Sequence, residues 1–105
     1  MHDERRAAPR FNFPFHVEFT EPSGERRSGI IQNISIGGIL LETAARIPLE
    51  TVIEIHFLDG ALEGTLSGKV IRAATTGAVA IAFVQLSPER VSLIRAAIDR
   101  AARAQ

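Results

Sequence analysis

The chain has no cysteine, which rules out disulfides, thiolate nucleophiles, zinc ribbons and iron–sulfur ligation, and leaves a reducing compartment open to it. No apolar run approaches the roughly 18 to 20 residues that cross a bilayer. The opening residues, MHDERRAAPR, carry no apolar core of a secretion signal. A cytoplasmic protein without membrane insertion is therefore expected. Net charge is also missing, because twelve basic residues balance twelve acidic ones. A general polyanion binder needs a basic excess, so nucleic acid is not the expected partner. Lysine is almost absent: Lys69 stands against eleven arginines, five of them (Arg5, Arg6, Arg10, Arg26 and Arg27) in about the first quarter of the chain. Guanidinium forks recognise phosphate oxygens and the guanine edge in a planar, bidentate way, so this bias points to a small, specific ligand.

Catalytic arrangements are lacking as well. No Ser-His-Asp set appears in a recognisable context, no phosphate-cradling glycine loop precedes a helix, and no carboxylate pair can be placed together. The three histidines, His2, His16 and His56, have no metal-ligand spacing, and Asp59 stands beside Gly60 as a turn residue should. No enzyme activity, metal or cofactor is expected. With 105 residues and an ordinary globular composition, the chain is read as one domain able to fold without staples.

What the chain does contain is strand periodicity. FNFPFHVEF, Phe11 to Phe19, alternates strictly, with Phe11, Phe13, Phe15, Val17 and Phe19 on one face. EPSGE makes a turn, RRSGIIQ a second strand and ILLET a third, with NISIGG between them. TVIEIHFL alternates again, Asp59-Gly60 signals a hairpin, and its partner strand is read through ALEGTLSGKVIRA. Within that run Leu62, Leu66 and Val70 share a face with Gly64 and Gly68. TTG turns the chain into AVAIAFVQL. At Ser87 the pattern changes: Ser-Pro-Glu supplies an N-cap, a first-turn proline and a first-turn acid, and Val91, Ile94, Ile98 and Ala101 then recur at helical spacing. The expected fold is all-β with one C-terminal helix, a small antiparallel barrel of six or seven strands with a helical lid. Residues 1–10 form an arm, 11–86 the barrel and 87–105 the helix.

Two short motifs carry the chemistry. Arg6 and Arg10 are spaced R-x-x-x-R in the arm, each able to fork to guanine O6 and N7 or to a phosphate. More than twenty residues later, Asn33-x-Ser35-x-x-Gly38 places two short polar side chains at a strand end, with Gly37 and Gly38 letting the backbone pass close beneath a flat base. Taken alone, Asn33 to Gly38 would be a turn in which Asn and Ser bond their own backbone. Asn33-Ile34-Ser35 also fits an N-glycosylation acceptor, a reading that needs a secretory signal.

In this order and spacing the sequence resembles the PilZ domain family, bacterial receptors for the second messenger cyclic di-GMP. The resemblance extends through the first strand, GIIQ, GGILLET, LSGKVIR and AIAFVQLSPE. It implies a PilZ-like barrel that binds cyclic di-GMP, with Arg6 and Arg10 gripping guanine and phosphates. Asn33 and Ser35 would then read guanine, and Gly38 would keep the loop tight. Arg5, just before the first motif, resembles members that take an intercalated ligand pair. Asn33 stands where Asp is frequent, and an amide has one acceptor oxygen to a carboxylate's two. Ordering of the arm on ligand binding would present a changed surface to a separate, unidentified downstream protein. Two rivals remain: a PilZ-like protein-interaction module with weak or no nucleotide binding, and a small nucleic-acid-binding barrel that stacks bases on Phe11, Phe13, Phe15 and Phe19.

Overall fold

A computed structural model of the chain describes residues 9–58, 60, 62–73 and 77–104. The arm as far as Ala8, including Arg5 and Arg6, lies outside the described residues, as do Asp59, Ala61, Thr75 and Thr76 of the expected turns. Six strands appear among the described residues: β1 (Phe11–Thr20), β2 (Arg26–Ile34), β3 (Gly38–Glu42), β4 (Val52–Phe57), β5 (Thr65–Ala73) and β6 (Ala78–Val84). All pairings are antiparallel and close a barrel in the order β1-β2-β3-β6-β5-β4. One helix, α1 (Pro88–Arg103), follows them.

The alternation seen in the sequence decides which side chains enter the barrel. Phe15, Val17 and Phe19 of β1 point inward with Ile53, Ile55 and Phe57 of β4, and with Val79, Ile81 and Phe83 of β6. Phe11 and Phe13 are only half-buried, packed against the edge of this core. Phe13 and Phe15 meet edge-on, as do Phe15 and Phe57. Proline falls inside β1 at Pro14 because the β1–β2 register shifts between Asn12 and Phe15, where a residue without an N–H breaks no ladder bond. Glu21 to Glu25 close the first hairpin, with Gly24 at φ +92°.

Both barrel ends are stopped. Chain order puts the segment from Thr43 to Thr51 at one end, where Ile47 is buried and Thr43 N–H donates to the Gly77 carbonyl at 2.9 Å. The helix serves the other end, where β1 and β3 begin and β2 finishes. Ser87 caps it, accepting from the Arg90 N–H, with Pro88 and Glu89 in the first turn, as expected. The buried stripe is Leu93, Ile94, Ala97 and Ala101. Val91, which the spacing had assigned to that stripe, is half-exposed because the helix is rotated toward Leu93. The same packing corrects the start of β5. The strand begins at Thr65, with Leu62 to Gly64 outside it: Leu93 Cδ2 lies 2.9 Å from where a Gly64 Cβ would stand, and Gly64 itself adopts φ +135°. Leu62 stays buried as part of the connection, while Gly64 is exposed.

The helix N-terminus is anchored by a polar group of three side chains. Buried Ser67 donates to Glu54 Oε2 at 2.5 Å and accepts from Arg90 Nη1 at 2.6 Å, and Arg90 Nη2 reaches Glu54 Oε1 at 3.5 Å. Replacing the cap, Ser87→Ala, should cost about 1 kcal/mol, because one orphan N–H of the first turn loses its acceptor while these anchors persist. Urea unfolding checks this: a midpoint shift at unchanged slope is the expected result, and an unshifted midpoint would mean that the anchors alone hold the helix start.

Candidate functional site

The second motif forms a tight turn at the helix-side end of the barrel. Asn33 is still within β2, in a row with Asn12 of β1 and Leu40 of β3, all on the outer wall. A register shift between Ile31 and Asn33 makes this possible: Ile31 and Ile34 face the core, whereas Gln32 and Asn33 both face out. Ser35 follows and is almost fully buried. Its N–H donates to the Gly38 carbonyl at 2.9 Å, its hydroxyl donates to the same oxygen at 3.4 Å, and Gly37 N–H donates to Ser35 Oγ at 3.3 Å. The local serine turn expected from composition is therefore present. Asn33 has its Oδ1 turned to Arg10 instead.

Arg10, immediately before β1, lays its guanidinium across the motif. Nε donates to Asn33 Oδ1 at 2.7 Å and Nη1 to Ser35 Oγ at 3.2 Å. One planar fork thus joins residues 23 and 25 positions apart. Partial burial lowers the Arg10 pKa from its ordinary value, and the nearby charge of Arg72 lowers it further. A guanidinium nonetheless stays protonated in such a setting, so Arg10 keeps a full positive charge at the turn.

The two glycines differ in kind. Gly38 begins β3 opposite Ala82, and a Cβ there would stand 2.1 Å from the Ile81 carbonyl oxygen. Gly37 is exposed, and a Cβ on it would meet no atom within 4 Å; its carbonyl accepts from Phe83 N–H at 3.0 Å, fastening the turn to β6. Arg10, Asn33, Ser35, Gly37 and Gly38 are accordingly brought together, while Arg5 and Arg6 lie outside the described residues. One neighbour escaped the sequence reading. Arg72 of β5 acts on Arg10 from across the outer wall, and strand parity with Leu66 and Val70 had given no reason to look for it there.

The site is an open surface. Two surface hollows of about 550 Å³ each lie toward the other barrel end, one including His16 and Ser28 and the other Arg46 and Ile47, with Thr43, Ala44 and Gly77 in both. Neither contains Arg10, Asn33 or Ser35. His56, on the wall between β1 and β5, is hydrogen-bonded through its two ring nitrogens to Thr20 and Thr65, each at 3.1 Å. Among the described residues no three His, Cys, Asp or Glu side chains gather as a metal site, and no helix is long and apolar enough to cross a membrane.

The chain is thus a six-stranded antiparallel barrel closed by a C-terminal helix, with an arginine-bridged polar turn at its rim. The PilZ domain model matches residues 4–100, and the chain belongs to that family, a family of cyclic di-GMP receptors and adaptor domains. Among solved structures, the PilZ domain of CeSA from a cellulose-synthesizing bacterium is similar with a TM-score of 0.69 at 19% identity, covering 83% of this chain and 91% of that one. The PilZ domain of YcgR from Escherichia coli, solved with c-di-GMP, has a TM-score of 0.78 at 13% identity, covering 95% of this chain and 93% of that one. No curated protein matches the sequence.

Proposed function

We propose that this domain is a cytoplasmic, non-enzymatic receptor for cyclic di-GMP that needs no cofactor and hands its signal to a separate protein. The observation that supports it most is the Arg10 fork on Asn33 and Ser35, which joins the two family motifs on one rim of the barrel. The Asn33 carbonyl has a second lone pair, so it can accept from guanine while still holding Arg10. Arg5 and Arg6, just upstream, would supply further forks to guanine and phosphate. Arg10 already rests on the barrel, so ligand-dependent ordering of the arm concerns the residues before it. The energy for that ordering must come from contacts made only in the docked state.

Isothermal titration of cyclic di-GMP into the protein, with GMP and a short single-stranded oligonucleotide as controls, tests the reading. Saturable binding of the cyclic dinucleotide alone is expected, and a ligand-to-protein ratio near two would support the intercalated pair inferred from Arg5. No binding by folded protein would leave the interaction-module reading standing, and binding of the oligonucleotide in its place would favour the nucleic-acid barrel. Protease protection of the arm on adding ligand tests the switch separately; equal cleavage with and without ligand would remove the switch and keep the receptor.

A further inference from the structure

Arg72 is placed outward by an irregularity of β5. Leu66, Gly68 and Val70 are buried, and strict alternation would send residue 72 inward as well. Between Val70 and Arg72 the register against β6 shifts, so Val70 pairs with Ile81 whereas Arg72 pairs with Ala80. The shift leaves Ile71 53% exposed, an apolar cost that the strand bears in order to turn Arg72 out. Ala80 pairs with Leu40, and Leu40 with Asn33. One outer-wall row therefore runs Asn33, Leu40, Ala80, Arg72, set up by register shifts in β2 and β5.

The row has the form of a base platform. Leu40 and Ala80 are half-buried and offer a low apolar floor between a polar end and a cationic end. Three strand spacings of about 4.8 Å separate the backbones of Asn33 and Arg72, roughly 14 Å, a span that two long guanidinium side chains reaching across it shorten. Arg26, Arg27 and Lys69 on the same barrel are each paired with a glutamate, but Arg72 has no carboxylate partner among the described residues. Arg10, held on Asn33 and Ser35 at the other end of the row, feels the charge of Arg72, and an anion lying between the two guanidinium groups would relieve that repulsion.

On the reading of this rim as the cyclic di-GMP site, we propose that Arg72 is a further ligand-contacting residue, holding a phosphate on the flank opposite Arg10 while a guanine lies over Leu40 and Ala80. The lowered Arg10 pKa, to which Arg72 contributes, agrees with the two charges sharing one space.

The test uses Arg72→Ala and Arg72→Lys, with cyclic di-GMP titrations at low and high salt and thermal unfolding without ligand. Arg72→Ala should bind roughly tenfold more weakly, with a shallower salt dependence, because a charge-assisted contact is lost. Arg72→Lys should keep the salt dependence with an intermediate affinity. Without ligand, Arg72→Ala should melt no lower than wild type, since the repulsion on Arg10 is relieved. Weaker binding alongside unreduced stability is an outcome that a merely structural role does not produce. Wild-type affinity and salt dependence in Arg72→Ala overturn the proposal while the receptor reading stands, and so does a fall in melting temperature that accounts for the lost binding. Wild-type protein that fails to bind overturns the receptor reading and this proposal together.

Discussion

Arg10→Ala should lower cyclic di-GMP affinity by two to three orders of magnitude while leaving the barrel folded. Two contributions add. Hydrogen bonds from a charged fork are each worth about 1.5–3 kcal/mol where the partner is otherwise desolvated, and Arg10 has donors both for the ligand and for the side chains that read it. Removing it also frees Asn33 Oδ1 and Ser35 Oγ from the arrangement that aims them. The stability effect is smaller, on the order of 1 kcal/mol, because the exposed Asn33 bond exchanges with water, Ser35 Oγ keeps its bond from Gly37 N–H, and the repulsion from Arg72 disappears with the charge. Arg10→Lys separates charge from geometry: it retains the cation and loses the fork, so most of the affinity loss should persist. Titration calorimetry paired with a melting curve reads both quantities. Binding by Arg10→Ala within twofold of wild type would show that the fork on Asn33 and Ser35 is a structural clasp with no part in recognition.

The sequence made the barrel legible because its inward face is written in period two. Phe15, Val17 and Phe19, then Ile53, Ile55 and Phe57, then Val79, Ile81 and Phe83 all went where alternation sent them. The helix start was equally plain, since Ser87, Pro88 and Glu89 each act through local backbone chemistry. Alternation could not show where it fails. The register shifts beside Gln32 and Ile71 depend on neighbouring strands, and those two shifts put Asn33 and Arg72 on one wall. An arginine at an inward parity position, following Leu66 and Val70, was the available signal of a bulge, because an unpaired charge is not buried in a barrel. The start of β5 was misplaced for a similar reason: Leu93 of a distant helix packs close against Gly64, whose φ of +135° departs from strand backbone. In the site, the Arg10–Asn33–Ser35 grouping was readable from motif order, while the close approach at Gly38 belongs to β6 and was not.

Gly38→Ala should destabilise the domain by about 3 kcal/mol or more, the upper end of what overpacking typically costs, because the neighbour cannot move. The added methyl would stand 2.1 Å from the Ile81 carbonyl oxygen and 3.3 Å from Ala82 Cα, which are backbone atoms that no rotamer change can move. Relief would require β3 and β6 to part, and the Phe83 N–H bond to the Gly37 carbonyl and the Ser35 bonds to the Gly38 carbonyl lie at that seam. For a domain of about this size each kcal/mol is worth roughly 4–8 °C, so the melting temperature should fall by at least about 10 °C. Gly37→Ala is the matched control. Its methyl meets nothing within 4 Å and the residue has no positive φ, so its stability should stay within about 0.5 kcal/mol of wild type. Adjacent glycines with such different melting behaviour would place the fold requirement at Gly38 alone. Any loss of cyclic di-GMP affinity in the well-folded Gly37→Ala protein would then report a ligand lying against the turn, because a methyl that meets nothing within 4 Å among the described residues obstructs what binds there. Equal melting of the two variants would show that the β3–β6 seam opens at little cost, and the tight turn would lose its claim to be a rigid platform for Asn33 and Ser35.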